Sequence, residues 1–359
     1  MSPSRPRPPF WRRLLFSKVA LAGLSLKVLS SLWLWFGLFQ PHQEFPGDEL
    51  SVRIDPGSTV RQILGRLDRE GVIANALLAR AYHRLVLGAP PLKAGTYTFA
   101  GPSNAPQVLS KLVAGEVEQR FVTIVEGLTH WEVADHLARQ GFGEREALLA
   151  AMRAPGLIAD LDPAASNLEG YLFPDTYQLA PGIPETEVVA AMVATFRARW
   201  QETVVPLLGG PGAPSVREVV TLASIVEEEA KAAEERPVIA GVYRNRLRLG
   251  MGLYADPTVI YALRLAGRWD GDIRRADLAM DSPYNTYRVA GLPPGPIASP
   301  GLASLAAAAQ PAEVPYLYFV SRNDGTHVFA QTLAEHNANV ERWQRRYFRE
   351  RAAAGAASR

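Results

Sequence analysis

Apolar and polar positions divide the chain into one long apolar run near its start and an interleaving of short strands and helices after it. Val19–Phe39 is apolar apart from Lys27 and small or hydroxyl residues. That length suits a single membrane-spanning helix, with Trp33 and Trp35 as interfacial anchors near its far end. Leu50–Asp55 then alternates as a strand does, and Pro56-Gly57 turns it into a helix capped by Ser58 or Thr59. The layout returns further on. Ile54, Gly57, Thr59, Ile63, Leu67 and Gly71 match Ile124, Gly127, Thr129, Val133, Leu137 and Gly141 at identical spacing, which predicts a repeated unit of strand, glycine turn, threonine-capped helix and glycine stop.

Between the copies the pattern predicts a helix at Ala76–Leu87 capped by Asn75, a strand at Gly95–Phe99 and a helix at Pro106–Val113. Beyond them it predicts helices at Trp131–Gln140, Glu144–Met152, Pro184–Trp200, Pro237–Leu249, Val259–Ala266 and Gly301–Ala309. A strand at Tyr316–Ser321 and an Asn323-Asp324-Gly325 turn into His327-Val328-Phe329 read as a hairpin, followed by a helix carrying His336. The fold class expected is α+β: a membrane helix at 19–39, a small strand-helix module at 46–118 and a mixed α+β domain at 119–348.

The helix at Val219–Ala233 carries three consecutive glutamates in unlike positions. Val219, Leu222, Val226 and Ala233 form an apolar stripe at helical spacing, and Glu229 falls on it. Glu228 points away with Thr221, Ser224 and Lys231, and Glu227 sits at the margin. A carboxyl on an apolar face resists ionisation, so its pKa is expected to rise into the range of a general acid. An ordinary ion pair with Arg236, Arg244 or Arg246 would explain the same position.

Charge and composition narrow the rest. Lys+Arg 38 against Asp+Glu 36 gives no nucleic-acid footprint, and the absence of cysteine removes disulfides and thiolate chemistry. Six scattered histidines show no zinc-ligand spacing, so no metal or organic cofactor is expected. Residues 1–18 are basic without an acid, and no Lys or Arg follows the apolar run until Arg53. That asymmetry predicts an uncleaved anchor with a cytoplasmic N-terminus and the remainder outside the cytoplasmic membrane. Residues 349–359 read as a frayed tail.

Several loops gather polar and aromatic groups. Leu168–Tyr177 holds Glu169, Tyr171 and Asp175, a composition that suits a sugar site, although an ordinary turn with half-buried tyrosines fits it as well. Tyr254–Thr258, Ser282–Tyr287 and Gly291–Ile297 are the others.

LASIVEEEA, RNRLRLGMGLYADPTVIYAL, SPYNTYRVAGLPPGPIASPG and PYLYFVSRNDGTHVFAQTLAEHN, with LEGYLFPDTY upstream, resemble in order the motifs of the YceG-like family of MltG-type endolytic murein transglycosylases. The resemblance implies a LysM-like module at 46–118, and cleavage of the β-1,4 bond between N-acetylmuramic acid and N-acetylglucosamine to leave 1,6-anhydro ends. Its catalytic acid corresponds to Glu229, the residue that helix geometry also picks. Glu169, Asn285, Thr286 and Tyr287, with Asp256 and His327 behind them, are the expected substrate contacts. Peptidoglycan strands are the expected partner, together with the membrane, wall-synthesis enzymes and the division or elongation machinery. Two other readings remain: a hydrolytic muramidase using Glu169 or Asp256 as second carboxylate, and a non-catalytic glycan-binding scaffold.

Overall fold

The computed structural model describes residues 25, 27, 29, 31–210, 212–347 and 349. The basic leader 1–18, the first part of the expected membrane helix and the tail beyond Arg349 lie outside the described residues. Residues 31–39 are helical, and no helix among the described residues is long and apolar enough to cross a membrane. The chain divides into two compact units, residues 1–120 with 180–182, and residues 121–179 with 183–359.

The smaller unit runs β1 (Glu49–Ile54), α1 (Val60–Arg69), α2 (Ala76–Leu85), β2 (Gly95–Ala100) and α3 (Ala105–Ala114). β1 and β2 pair antiparallel, with Glu49 opposite Ala100 and Ile54 opposite Gly95. Alternate residues of the two strands, Val52, Ile54, Tyr97 and Phe99, meet Leu64, Leu67, Leu109 and Leu112 in one core. The Tyr97 hydroxyl donates to the Lys93 carbonyl at 2.8 Å, so this buried ring leaves no orphaned polar group.

The larger unit begins within β3 (Arg120–Thr123), at Phe121, and runs on through α4 (His130–Arg139) and α5 (Arg145–Met152). It continues through β4 (Thr176–Leu179), which pairs with β3, to α6 (Glu185–Arg199) and α7 (Val216–Glu229). α8 (Arg236–Arg248), α9 (Asp256–Leu265) and α10 (Leu302–Ala309) follow, then the antiparallel hairpin of β5 (Tyr318–Ser321) and β6 (His327–Ala330), and α11 (Leu333–Val340).

The two sequence copies fold alike. Thr59 and Thr129 each cap a ten-residue helix through a reciprocal box with Gln62 or Glu132. Gly57 and Gly127 both hold φ of +81°, a left-handed turn that a side chain would strain.

α7 departs from the amphipathic helix expected. Eight consecutive residues, Val219 to Val226, are buried, because α8, α9 and α10 pack around it. Each buried aliphatic side chain contributes about 1.5–3 kcal/mol, and the axis carrying the glutamates is therefore held from all sides. The helix also stops at Glu229, where Ala230 turns extended, so Ala233 is not on its stripe. Ser224 closes one further gap. Its hydroxyl donates to Thr221 O at 2.8 Å and accepts from Ile297 N at 3.1 Å, fastening the Pro-rich loop to α7.

Candidate active site

The end of α7 sends its three glutamates to three environments. Glu227 is structural, its side chain only 6% exposed. Oε1 accepts from Arg236 Nη2 at 2.9 Å and Oε2 from Gly301 N at 2.8 Å, tying α7 to the starts of α8 and α10. Glycine at 301 permits this approach, since a Cβ there would stand 2.7 Å from Glu126 Cγ. Glu228 is exposed and lines a cleft of about 270 Å³ with Glu132, Arg264 and Trp269. Protein crowding and the charges of Glu132, Glu227 and Glu169, opposed by Arg264, push its carboxyl up to about 7, though solvent at its surface screens part of this.

Glu229 lies half-buried on the wall of a separate cleft of about 460 Å³. Burial raises its carboxyl to about 7; the Tyr243 hydroxyl, donating to Oε1 at 3.1 Å, pulls it down, Asp256 pushes it up and Arg246 pulls it down again. Glu228 and Glu229 thus share an elevated pKa, and only their surroundings separate them. None of the arginines considered from sequence bonds Glu229. Arg236 pairs with Glu227, Arg244 donates to Ala312 O, and Arg246 donates to Leu317 O and Leu253 O.

Arg246 is the cation of the cleft. Its guanidinium lies 5.9 Å from the Tyr254 ring centre and 5.5 Å from that of Tyr318, with both backbone-bonded nitrogens fixing its plane. Tyr254 takes φ of +50°, a strained conformation for a non-glycine residue, and meets Tyr287 edge-on at 5.4 Å. Asp256 Oδ1 accepts from the Tyr287 hydroxyl at 2.6 Å. His327 donates through Nδ1 to Glu235 at 2.7 Å, which orients the ring and leaves Nε2 as its second nitrogen. His336 stacks on Tyr318 at 5.2 Å, and its buried Nδ1 has no hydrogen-bond partner among the described residues.

Of the residues expected from sequence, Glu229, Asp256, Tyr287 and His327 therefore share one cleft. Asn285 and Thr286 stand behind it, fully buried. Asn285 Nδ2 donates to Leu278 O and Met280 O while its Oδ1 accepts from Tyr287 N, and Thr286 Oγ1 accepts from Ala255 N at 3.0 Å. Their side-chain polar atoms are engaged in shaping the loops that present Tyr287 and Asp256.

Glu169, Tyr171 and Asp175 are not in the cleft. Glu169 is buried and accepts from His130 N at 2.9 Å, His130 Nδ1 at 2.6 Å and the Tyr261 hydroxyl at 3.1 Å. The Tyr171 hydroxyl donates to Asp162, and Asp175 lies 3.6 Å from Arg199. Glu169 thus ties this loop to the start of α4 and to α9, and of the two carboxylates considered as a second one, Asp256 is the one that lines the Glu229 cleft. Among the described residues no group of three or more His, Asp or Glu is arranged to hold a metal ion.

Tyr243, Arg246, Tyr254, Tyr318 and His336 complete the cleft without having been assigned to it from sequence. Tyr243 and Arg246 carried a usable signal, the i, i+3 spacing that puts an aromatic and a cation on one face of α8. Two substitutions should move the pH profile in opposite directions. Tyr243→Phe removes a hydrogen bond to the carboxylate, so the Glu229 pKa rises and the alkaline limb of kcat/KM moves to higher pH. Asp256→Asn removes a like charge and moves it to lower pH. Shifts of the same sign in a pH titration of the two variants would contradict this electrostatic arrangement.

The sequence from residue 52 to 342 matches the model of the YceG-like family. A protein of Bacillus subtilis named endolytic murein transglycosylase is 32% identical over 329 residues, covering 85% of this chain and 88% of the relative. A protein of the same name from Streptococcus pneumoniae is 30% identical over 325 residues, covering 81% of this chain and 58% of the relative. A crystal structure of a YceG-like protein from Listeria monocytogenes superposes with a TM-score of 0.53 at 32% identity, over 81% of this chain and 98% of that one. Family match, relatives and fold agree with the motifs read along the chain, and the protein belongs to the YceG-like family.

Proposed function

We propose that the protein is an endolytic murein transglycosylase that cuts the β-1,4 bond between N-acetylmuramic acid and N-acetylglucosamine within nascent peptidoglycan strands. The observation that carries this reading is Glu229, a carboxyl with a pKa raised to about 7 in an open cleft walled by aromatic rings and one oriented cation. Near neutral pH half of such a group is protonated, which suits both halves of an acid–base cycle.

Glu229 gives its proton to the glycosidic oxygen as the bond to C1 of the muramoyl residue breaks. The 6-hydroxyl of that residue then bonds to C1, and its proton returns to Glu229. No water is consumed and no second carboxylate is required, unlike hydrolytic glycosidases. Asp256 is engaged by Tyr287 and supports the cleft by shaping Tyr287 and raising the Glu229 pKa. The rings of Tyr254, Tyr287 and Tyr318 offer faces to sugars, and Arg246 and His327 offer donors to their amide and hydroxyl oxygens.

The apolar segment 19–39 is the proposed single membrane anchor, with leader 1–18 in the cytoplasm and the rest in the periplasmic or extracytoplasmic space, near newly made strands and their synthases. The strand-helix-helix-strand order at 49–100 supports reading 46–118 as LysM-like, ahead of a catalytic domain at 119–348. The reaction is tested by digesting uncrosslinked strands in water enriched in heavy oxygen. Fragments ending in anhydro-muramoyl without the label are expected, whereas labelled reducing ends would establish hydrolysis.

A further inference from the structure

The outer face of α2 is unusual for a small module. Leu77, Leu85, Val86 and Leu87 are 71%, 81%, 64% and 37% exposed, and Ala81 is exposed between them. Positions 77, 81 and 85 are each four residues apart, so they line one side of the helix, while Ala79 and His83 on the opposite side and Leu78 at the edge of the stripe are buried. Single exposed leucines are ordinary surface; a continuous stripe that runs on past the helix end marks an interaction site. Arg80 and Arg84 are exposed beside the stripe, and no acidic residue occurs from Ala76 to Ala100.

A second apolar element adjoins this helix within the same unit. Residues 31–39 form a helix with Trp33, Trp35 and Phe36 more than half exposed. Its end is fastened to α2: Phe39 meets Tyr82 edge-on at 6.2 Å, Leu38 packs on the core of the module, and Gly37 passes so close to Leu78 that a side chain there would collide. Two exposed aromatic and aliphatic faces are thus joined through these contacts, with arginines along the margin. That combination of apolar stripe, tryptophan and flanking cation suits the boundary between anionic lipid headgroups and acyl chains.

We propose that the outer face of α2, centred on Leu77, Ala81 and Leu85, lies on an anionic lipid bilayer, with Arg80 and Arg84 against headgroup phosphates. The inference rests on the membrane reading of segment 19–39 given above. A module seated in this way is fixed at the membrane surface and is not free to swing on a linker.

The chain has no cysteine, so single spin labels can be placed cleanly. Full-length protein carrying Leu85→Cys, Leu32→Cys or Ser110→Cys is reconstituted into vesicles of phosphatidylethanolamine and phosphatidylglycerol. Glycan cleavage by each labelled chain reports that it has folded. Relaxation by oxygen, which concentrates in lipid, is compared with relaxation by a water-soluble nickel chelate. The expected result is an oxygen-to-nickel ratio severalfold higher at positions 32 and 85 than at exposed Ser110. A lipid-like ratio at 32 with a water-like ratio at 85 would overturn the docking and leave the anchor standing. Water-like ratios at both would overturn the anchor as well. Shielding of position 85 from both reagents, with dipolar broadening between labels, would show a second copy of the chain on this face and would also overturn the proposal.

Discussion

Glu229→Gln is expected to lower kcat/KM on glycan strands by about 10²–10⁴-fold, the usual contribution of a positioned acid–base group, while the protein remains folded. Glutamine keeps the shape and can accept the Tyr243 hydroxyl, but it can neither protonate the leaving oxygen nor take the proton of the 6-hydroxyl. A stability signature accompanies the loss. The Glu229 pKa is raised from 4.5 in the unfolded chain to about 7 in the folded one, so between these values the native state binds more protons and stability falls as pH rises. An amide in its place has no such dependence. The Tm of the variant should therefore exceed that of the parent above pH 7, and the two should converge below about pH 4.5, a comparison readily made by calorimetry. A variant both inactive and less stable at pH 8 would mean that the carboxylate, not the neutral acid, is the form the fold favours.

Glu227→Ala should produce the largest loss of stability among the three glutamates, about 3–5 kcal/mol, as when a buried ion pair loses one partner. It strips Arg236 of its carboxylate and Gly301 N of its acceptor, and unpins the starts of α8 and α10 from α7. Among the described residues Arg236 would then keep its contact with Ser304 Oγ at 3.1 Å. Glu228→Ala, which removes an exposed carboxyl standing among like charges, should cost no stability near neutral pH. Urea titration of the two variants distinguishes them, and equal losses would contradict the division of roles along the end of α7.

Much of this was legible in the chain because local rules and tertiary packing agree. The capping threonines, the left-handed Gly57 and Gly127 and the hairpin at Asn323–Gly325 each need only a few neighbouring residues, and all formed where the pattern placed them. α7 was harder. Burial on every side erased the polar face that periodicity relies on, and the helix stopped at Glu229 because the chain turns there toward α8. Glu229 could still be singled out, since a carboxylate among aliphatics stands out whichever side is buried, and the structure sets it half-buried on a cleft wall.

The loops were hard to place for a different reason. Glu169, Tyr171, Asn285 and Thr286 have the composition of a binding site, but buried backbone and hydroxyl groups also need partners, and these side chains supply them. Arg246 went unassigned because its surroundings depend on Tyr254, in the loop just past the end of α8, and on Tyr318, which reaches it from a distant part of the sequence.

The most direct test of the account is to digest uncrosslinked glycan strands in parallel with the parent, Glu228→Gln and Glu229→Gln, and to weigh the products by mass spectrometry. Anhydro-ended fragments from the parent and Glu228→Gln, with none from folded Glu229→Gln, are the predicted result. Cleavage by Glu229→Gln at the parental rate, or its loss in Glu228→Gln instead, would place the chemistry in the other cleft and contradict the assignment.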